Sequence, residues 1–267
     1  MRFSRVRSSL LLAAIALALP LAGCSTLNGA KKGKENNRYV ARDVDTLYNA
    51  AKDRLDQRRF SEAAALFDEV ERQHPYSVWA RRAQLMSAFS YYMAHNYPDS
   101  IQASQRFLSV HPGNKDAPYA LYLVAVDYYE QIGDVNRDQK ISLQALDAMG
   151  EVIRRYPDSR YATDARLKTD LINDHLAGKE MEVGRFYQRR HDWLASVVRF
   201  RKVVDTYQTT SHVPEALMRL TESYLELGIL DEARRSTAVL GANYPGSDYY
   251  KHAYELVQKK DPDLKPS

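Results

Sequence analysis

A segment that recurs five times is the feature of this sequence that most limits the folds open to it. The copies align without gaps over residues 60–75, 97–112, 142–157, 193–208 and 230–245, so their ends lie 37, 45, 51 and 37 residues apart. Every copy has a small residue twelve positions before its end and an apolar residue seven positions further on: Ala63 and Val70, Ser100 and Phe107, Ala145 and Val152, Ser196 and Val203, Ala233 and Leu240. This spacing indicates an amphipathic helix. Proline ends the helix in four copies; Gln208 replaces it in the fourth copy and puts only that turn in question.

A partner helix is predicted upstream of each copy. Residues 80–94 and 118–131 match each other at the same spacing of 37, and Pro118 and Pro214 suit the first turn of a helix. Helix–turn–helix units of this kind resemble tetratricopeptide repeats, whose period is about 34 residues. Such units bury their apolar faces only by stacking. The resemblance therefore predicts an all-α, right-handed superhelical solenoid of about five repeats with a concave surface.

The repeats divide the chain into five predicted parts. These are a signal peptide over residues 1–23, a lipidated N-terminus and flexible tether over 24–43, N-terminal repeats 1–3 over 44–157, C-terminal repeats 4–5 with a closing helix over 158–260, and a disordered tail over 261–267. The closing helix itself is predicted over residues 247–259.

Two spacings exceed 37, and both insertions are expected between the two helices of a unit. The first lengthens the turn of the third unit, where Asp134, Asn136 and Asp138 imitate the start of a calcium-binding loop. Such a loop needs Gly at its sixth position and Glu at its twelfth, and Gln139 and Ala145 stand there instead. No calcium site is therefore expected.

The second insertion belongs to the fourth unit. Its first helix is predicted to extend over residues 161–190. Because glycine is a poor helix former, we expect a break near Ala177 and Gly178.

The N-terminus has the layout of a secretory signal peptide. Three arginines precede an apolar run over residues 10–19, which is about half the length of a membrane span, and Leu21-Ala-Gly-Cys24 follows. The last four residues resemble a bacterial lipobox, in which Cys24 receives diacylglycerol and an N-acyl chain after cleavage. Ser25, rather than Asp, favours the outer membrane by the same resemblance. The alternative is an ordinary signal peptide that ends near a buried cysteine. Covalent lipid is the only cofactor expected.

Loss of the signal peptide changes the charge of the chain. The whole sequence has 38 basic and 34 acidic residues, and the three arginines of residues 1–23 leave with the signal, so the mature net charge is +1. Nucleic acid as a partner thereby loses its electrostatic support. The four cations of the tether, Lys31, Lys32, Lys34 and Arg38, either keep a spacer solvated or contact anionic lipid.

No residue pattern typical of an active site is present in the sequence. The seven histidines are dispersed, and the zinc-protease, nucleophile-elbow and phosphate-binding glycine motifs are all missing. The single cysteine is assigned to lipid. We therefore expect no enzyme, no metal site and no small-molecule substrate, and we assign function to binding surfaces.

The first helix of each unit lines the groove in tetratricopeptide arrays. This resemblance places Lys52, Arg82, Leu85, Phe89, Tyr92, Tyr119 and Tyr122 on the concave side. Aromatic rings offer contact area at little entropy cost, and Arg82 or Lys52 suits the carboxylate of a bound peptide. The alternative is that about half of these rings pack between helices.

Two longer stretches carry a closer resemblance. One runs from Ala145 to Ala162 and ends in Arg-Arg-Tyr-Pro-Asp-Ser-Arg-Tyr-Ala, and the other runs from Phe186 to Arg199. Together with the lipobox and tether, they resemble the BamD (YfiO/ComL) family of lipoproteins of the β-barrel assembly machinery. The family implies a non-catalytic subunit, lipid-anchored at the periplasmic face of the outer membrane.

The resemblance also implies partners. The C-terminal units would bind the periplasmic domain of the barrel-forming BamA subunit. In a stacked array Arg190 and Arg199 would both face an acidic partner surface, with Trp193 between them as an apolar anchor. The alternative is that Trp193 packs in the core. Smaller Bam lipoproteins would bind as well, and the N-terminal groove would receive unfolded outer-membrane proteins. The alternative is another periplasmic repeat lipoprotein that acts as an adaptor for peptidoglycan or cell division.

Overall fold

Eleven helices make up the described part of the chain, residues 42–134 and 138–260 of a computed structural model. In order they are α1 (Val44–Asp56), α2 (Phe60–Gln73), α3 (Val78–Met93), α4 (Tyr97–Val110), α5 (Ala117–Glu130), α6 (Lys140–Arg155), α7 (Arg160–Arg189), α8 (Trp193–Thr206), α9 (Val213–Glu226), α10 (Leu230–Asn243) and α11 (Asp248–Lys260). These residues contain no strand, so the predicted all-α fold is confirmed. The predicted signal peptide, Cys24, most of the tether and the tail lie outside the described residues.

The helices pair into five units. Each helix packs against the next, and α11 packs on α9 and α10 as the predicted closing helix. The first helices α1, α3, α5 and α7 also contact one another in order. The first four units therefore stack through a layer of first helices, which is the layer that lines the groove in tetratricopeptide arrays, and the fifth unit joins them through the contact of α8 with α9.

The recurring segment forms the second helix of every unit. α2, α4, α8 and α10 begin at the first residue of the segment, and α6 begins two residues earlier. The five small positions and the five apolar positions are all buried. Full burial of a Val, Leu or Phe side chain contributes roughly 1.5–3 kcal/mol. The residues that repeat in the sequence are thus the ones that hold each helix against its neighbours.

The buried cluster is continuous across residue 157, the predicted boundary between the N-terminal and C-terminal repeats. It runs from Leu121 on α5 to Val257 on α11. A separate cluster around Leu47 and Phe67 joins α1, α2 and α3. The two groups of repeats therefore share a core.

The turn between the helices of a unit has one geometry in four units. The residue two positions before the second helix has a positive φ between 56° and 73°: Arg58, His95, His191 and Gly228. Its N–H group and the next one bond back to the preceding helix, as in His95 to Tyr92 (2.9 Å) and Asn96 to Tyr91 (2.9 Å). This is the Schellman motif. Three of the four residues are not glycine, and the left-handed backbone conformation costs each of them about 1–2 kcal/mol.

The second helix also ends in the same way with or without proline. His74 and Tyr244, which precede prolines, have φ values of −134° and −136°. Tyr207, which precedes Gln208, has a φ of −119°, and its N–H bonds to the Val203 carbonyl at 2.9 Å. The turn at Gln208 therefore keeps the common form.

The predicted break in the fourth unit is wrong. α7 is continuous from Arg160 to Arg189, and Ala177 and Gly178 are both buried in its middle. One glycine costs a helix about 1 kcal/mol, which the packing of neighbouring helices on this small pair outweighs. The second insertion therefore lies within a helix and not between helices. The first lies in the turn between α5 and α6, as predicted, although residues 135–137 lie outside the described residues.

Candidate functional site

The predicted cations of the groove lie at its N-terminal end. Arg82 and Lys52 are exposed, and the Arg82 guanidinium lies 5.6 Å from the centre of the Trp79 ring. The Tyr48 ring lies 4.5 Å from the same indole, and burial raises the pKa of Tyr48 while Arg82 lowers it less. The sequence did not indicate Trp79, because it lies just before residues 80–94, where the match between the first helices begins. The cations thus stand beside an aromatic platform.

A stripe on α3 continues from this platform. Leu85 and Phe89 follow Arg82 at helical spacing, and both are half-buried. Neither belongs to the packed apolar clusters formed by the described residues. Tyr92, the next position of the stripe, does pack against two of these clusters. Leu85 and Phe89 are therefore the apolar groove residues most available to a ligand.

The tyrosines of α5 have a different role. The rings of Tyr119 and Tyr122 lie 5.6 and 5.1 Å from the ring of Tyr161 on α7. The Tyr122 hydroxyl donates a hydrogen bond to Asp164, which also accepts one from Lys168 at 2.7 Å. Burial and this bond raise the pKa of Tyr122, and burial raises the pKa of Tyr119. Tyr119 and Tyr122 therefore pack between α5 and α7, which is the alternative role expected for about half of the groove rings.

A buried carboxylate organises the predicted partner site on α7 and α8. The Glu180 side chain is 11 % exposed, and it accepts hydrogen bonds from Arg199 (3.2 Å) and Lys202 (2.6 Å). Arg199 keeps 39 % of its side chain exposed. It therefore ties α8 to α7 and still presents part of its guanidinium at the surface. The sequence did not indicate Glu180, because its partners lie on the following helix.

The other two predicted contacts lie at the turn between α7 and α8. Arg190 is exposed, and its guanidinium lies 5.5 Å from the centre of the Phe186 ring. Trp193 is half-buried at the start of α8, with its ring 5.3 Å from that of His191. Trp193 belongs to no packed apolar cluster of the described residues. It lines an open cleft instead.

The cleft has a volume of about 540 Å³ and lies among the C-terminal ends of α7, α9 and α11. Its apolar lining comes from Trp193, Leu225 and Leu256. Its polar lining is contributed mainly by the ends of the three helices: Gln188, Arg189, His191, Arg219, Glu222, Glu226, Lys259 and Lys260. The cleft is separate from the N-terminal groove.

Neither a metal site nor a membrane span is found within residues 42–134 and 138–260. No group of three or more His, Cys, Asp or Glu side chains in this part could hold a metal ion. None of its helices combines the length and apolarity required to cross a bilayer.

Comparisons with known proteins identify the family. The family described as "YfiO: Outer membrane lipoprotein" matches residues 40–240. The chain is 48 % identical over 267 residues to the "Outer membrane protein assembly factor BamD" of Caulobacter vibrioides, covering all of this chain and 86 % of that protein. It is 43 % identical over 251 residues to the protein of the same description from Rickettsia prowazekii, covering 94 % and 97 %.

Solved structures that resemble the chain are more distant. The structure described as "TPR2AB-domain:pHSP90-complex of yeast Sti1" aligns with a TM-score of 0.41 and 11 % identity, covering 81 % of this chain and 83 % of that one. A tetratricopeptide-repeat protein of Thermus thermophilus aligns with a TM-score of 0.37 and 18 % identity, covering 81 % and 100 %. The sequence comparisons are much stronger. We conclude from them that the chain belongs to the YfiO family of outer membrane lipoproteins, whose similar members include the BamD assembly factors.

Proposed function

We propose that this protein is a non-catalytic, lipid-anchored subunit of the machinery that folds and inserts β-barrel proteins at the periplasmic face of the outer membrane. The observation that carries the proposal is family membership over residues 40–240, which include the helices of all five repeats except the last three residues of α10. The similar proteins are named outer membrane protein assembly factors. In this proposal the chain acts by binding, and its only attached group is the lipid of Cys24.

Two separate surfaces bind different partners in this proposal. The N-terminal groove, with Arg82, Leu85 and Phe89, binds extended segments of unfolded outer-membrane proteins, because it offers apolar contact next to cations. The surface around Arg190, Trp193 and the exposed part of Arg199 binds the periplasmic domain of the barrel-forming BamA subunit. The smaller lipoproteins of the complex are further partners in this proposal.

Depletion of the protein from its native cell is expected to lower the levels of several unrelated β-barrel proteins together, and wild-type protein is expected to restore them.

The variant Cys24→Ala lacks the thiol that carries the lipid, so it should take up no labelled fatty acid and should fractionate away from the outer membrane. Two acyl chains anchor stably where one is marginal. Quantitative proteomics of membrane fractions measures the levels of the β-barrel proteins and the location of the variant, and labelled fatty acid measures lipidation.

The result of depletion also distinguishes the proposed function from the main alternative, that of an adaptor for peptidoglycan or cell division. Septation or cell-wall defects with normal levels of β-barrel proteins would identify a peptidoglycan or division adaptor and contradict the proposal. Firm outer-membrane attachment of Cys24→Ala would contradict lipid anchoring.

Arg190→Glu is expected to lower the amount of barrel-forming subunit that co-purifies from detergent-solubilised membranes by about fivefold or more, since reversing one exposed charge at an interface costs roughly 1 kcal/mol or more. Arg190 is chosen because Arg199→Glu would place a second carboxylate beside buried Glu180 and destabilise the fold. Lys115→Glu, the same change of charge at an exposed lysine between α4 and α5, is the control. Equal co-purification of both folded variants would exclude Arg190 from the interface.

A further inference from the structure

The cleft among α7, α9 and α11 has a surplus of cations that nothing in its lining neutralises. Glu222 accepts hydrogen bonds from Arg219 (3.0 Å) and Gln188 (2.9 Å), so this carboxylate and Arg219 neutralise each other. The remaining charges of the lining are Arg189, Lys259 and Lys260 against Glu226, and all four are exposed. The cleft therefore carries a net positive charge.

The helix ends around the cleft remove only part of this charge. A helix C-terminus carries a partial charge of about −0.5. The last carbonyl groups of α7 and α9 already accept hydrogen bonds from their turns, as in His191 N–H to Gln188 (3.0 Å) and Gly228 N–H to Leu225 (3.1 Å). The C-terminus of α11 offsets about half a charge. At least one full positive charge is left to meet a ligand.

The floor of the cleft is apolar and large enough for side chains of a peptide. Trp193, Leu225 and Leu256 are each half-buried, so each keeps surface that a ligand would cover. A volume of about 540 Å³ falls within the range of sites that bury whole small ligands. A half-exposed Trp beside cations is also the composition of interface anchors.

We propose that this cleft binds an acidic peptide segment of another protein, with one or two bulky apolar side chains against Trp193, Leu225 and Leu256 and its carboxylates near Arg189, Lys259 and Lys260. The site is distinct from the N-terminal groove, where clients are proposed to bind. It gives the protein a second peptide-binding site at the C-terminal end of the repeats. The cleft shares Trp193 with the surface proposed to bind the BamA subunit, so the inference rests on that proposed function and adds the chemistry of the bound segment. The test below uses the purified chain and a model peptide, so its outcome is separate from the co-purification result for Arg190→Glu.

The test uses a short fluorescein-labelled peptide with a Phe-Leu centre flanked by Asp and Glu, titrated with the full chain in detergent micelles and followed by anisotropy. Lys259→Glu combined with Lys260→Glu is expected to weaken binding by about tenfold or more, and added salt should weaken binding to wild type. The control is Lys115→Glu combined with Lys140→Glu, which makes the same charge change at exposed lysines outside the cleft. It should leave binding unchanged.

The apolar contact has its own readout. The chain has two tryptophans, so Trp79→Phe leaves Trp193 as the only indole. The Phe-Leu peptide is expected to shift the emission of Trp193, whereas a peptide with an Ala-Ala centre should not. An unchanged spectrum at saturating Phe-Leu peptide would overturn the proposal.

Three further results would also overturn it. One is equal binding of a Lys/Arg-flanked peptide, and another is an equal loss in the control double variant. The third is an affinity that rises about tenfold when the chain is shortened after Lys260, because residues 261–267 would then be the occupant. Sedimentation provides a further check. If the protein self-associates and the peptide reverses this association, the occupant of the cleft is a second copy of the chain, and the proposal is overturned.

Discussion

Replacing Asp127 with Asn is expected to stabilise the protein more at pH 8 than at pH 5. Asp127 lies on α5 with its side chain fully buried, and neither carboxylate oxygen has a hydrogen-bond partner. Burial raises its pKa from 3.8 to about 7; the nearby Ser100 hydroxyl lowers it less, and Glu130 raises it further. The Ser100 hydrogen goes to the Ala88 carbonyl at 3.0 Å. Asp127 is therefore a buried acid that is neutral in mildly acidic solution.

The pH dependence of stability follows from linkage. Between about pH 4 and pH 7 the folded protein holds a proton that the unfolded chain has released, so the free energy of unfolding falls as the pH rises through this window. A shift of this size corresponds to roughly 4 kcal/mol as an upper limit. The amide of the Asp127→Asn variant cannot ionise, so its stability does not fall between about pH 4 and pH 7, and its advantage over wild type is complete above pH 7.

Urea unfolding of both proteins at pH 5 and pH 8 measures this effect. Asp147→Asn, at an exposed carboxylate on α6, is the control and should give equal stability differences at the two pH values. A stability difference for Asp127→Asn that does not grow between pH 5 and pH 8 would show that Asp127 is not protonated in the folded state.

The double variant Leu85→Ala with Phe89→Ala is expected to weaken binding of a client peptide by about thirtyfold or more. Removing one well-packed anchor at an interface costs about 2 kcal/mol, which is roughly thirtyfold in affinity. The peptide is a labelled C-terminal segment of a β-barrel protein that ends in an aromatic residue with a free carboxylate. Amidating that carboxylate should weaken binding if Arg82 or Lys52 contacts it.

Tyr122→Phe is the matched control for this experiment. It removes the hydroxyl that bonds to Asp164 and keeps the ring that packs on Tyr161, so it should lower stability and leave peptide affinity nearly unchanged. Thermal unfolding of each variant separates the two effects. Undiminished binding by the folded double variant, or cross-links confined to residues 190–260, would place the client site elsewhere.

The sequence predicts the second helices well because the same burial pattern recurs in every unit. The closing helix, predicted over residues 247–259, is found at Asp248–Lys260. The Schellman turns at Arg58, His95 and His191 were not predicted, because non-glycine residues rarely adopt a positive φ. Tertiary packing overrode the local preference both there and at Gly178.

The site was predicted less completely, since the role of a side chain depends on helices far away in sequence. Phe89 and Tyr122 both look like groove rings in the repeat pattern. Only the structure shows that Tyr122 is engaged with Asp164, which lies 42 residues further along the chain. Glu180 and Asp127 also give no local signal, because their burial arises from neighbouring helices.

The unbroken length of α7 has a mechanical consequence. Its 30 residues at about 1.5 Å each make a rod of about 45 Å, and it contains neither proline nor a residue with positive φ that would act as a hinge. Near its start, Asp164 holds Tyr122 of α5, and near its end, Arg185 holds Glu215 of α9 at 3.0 Å. A tilt imposed at one end therefore displaces the other as a lever arm. The N-terminal groove and the C-terminal repeats are thus joined through one unbroken helix.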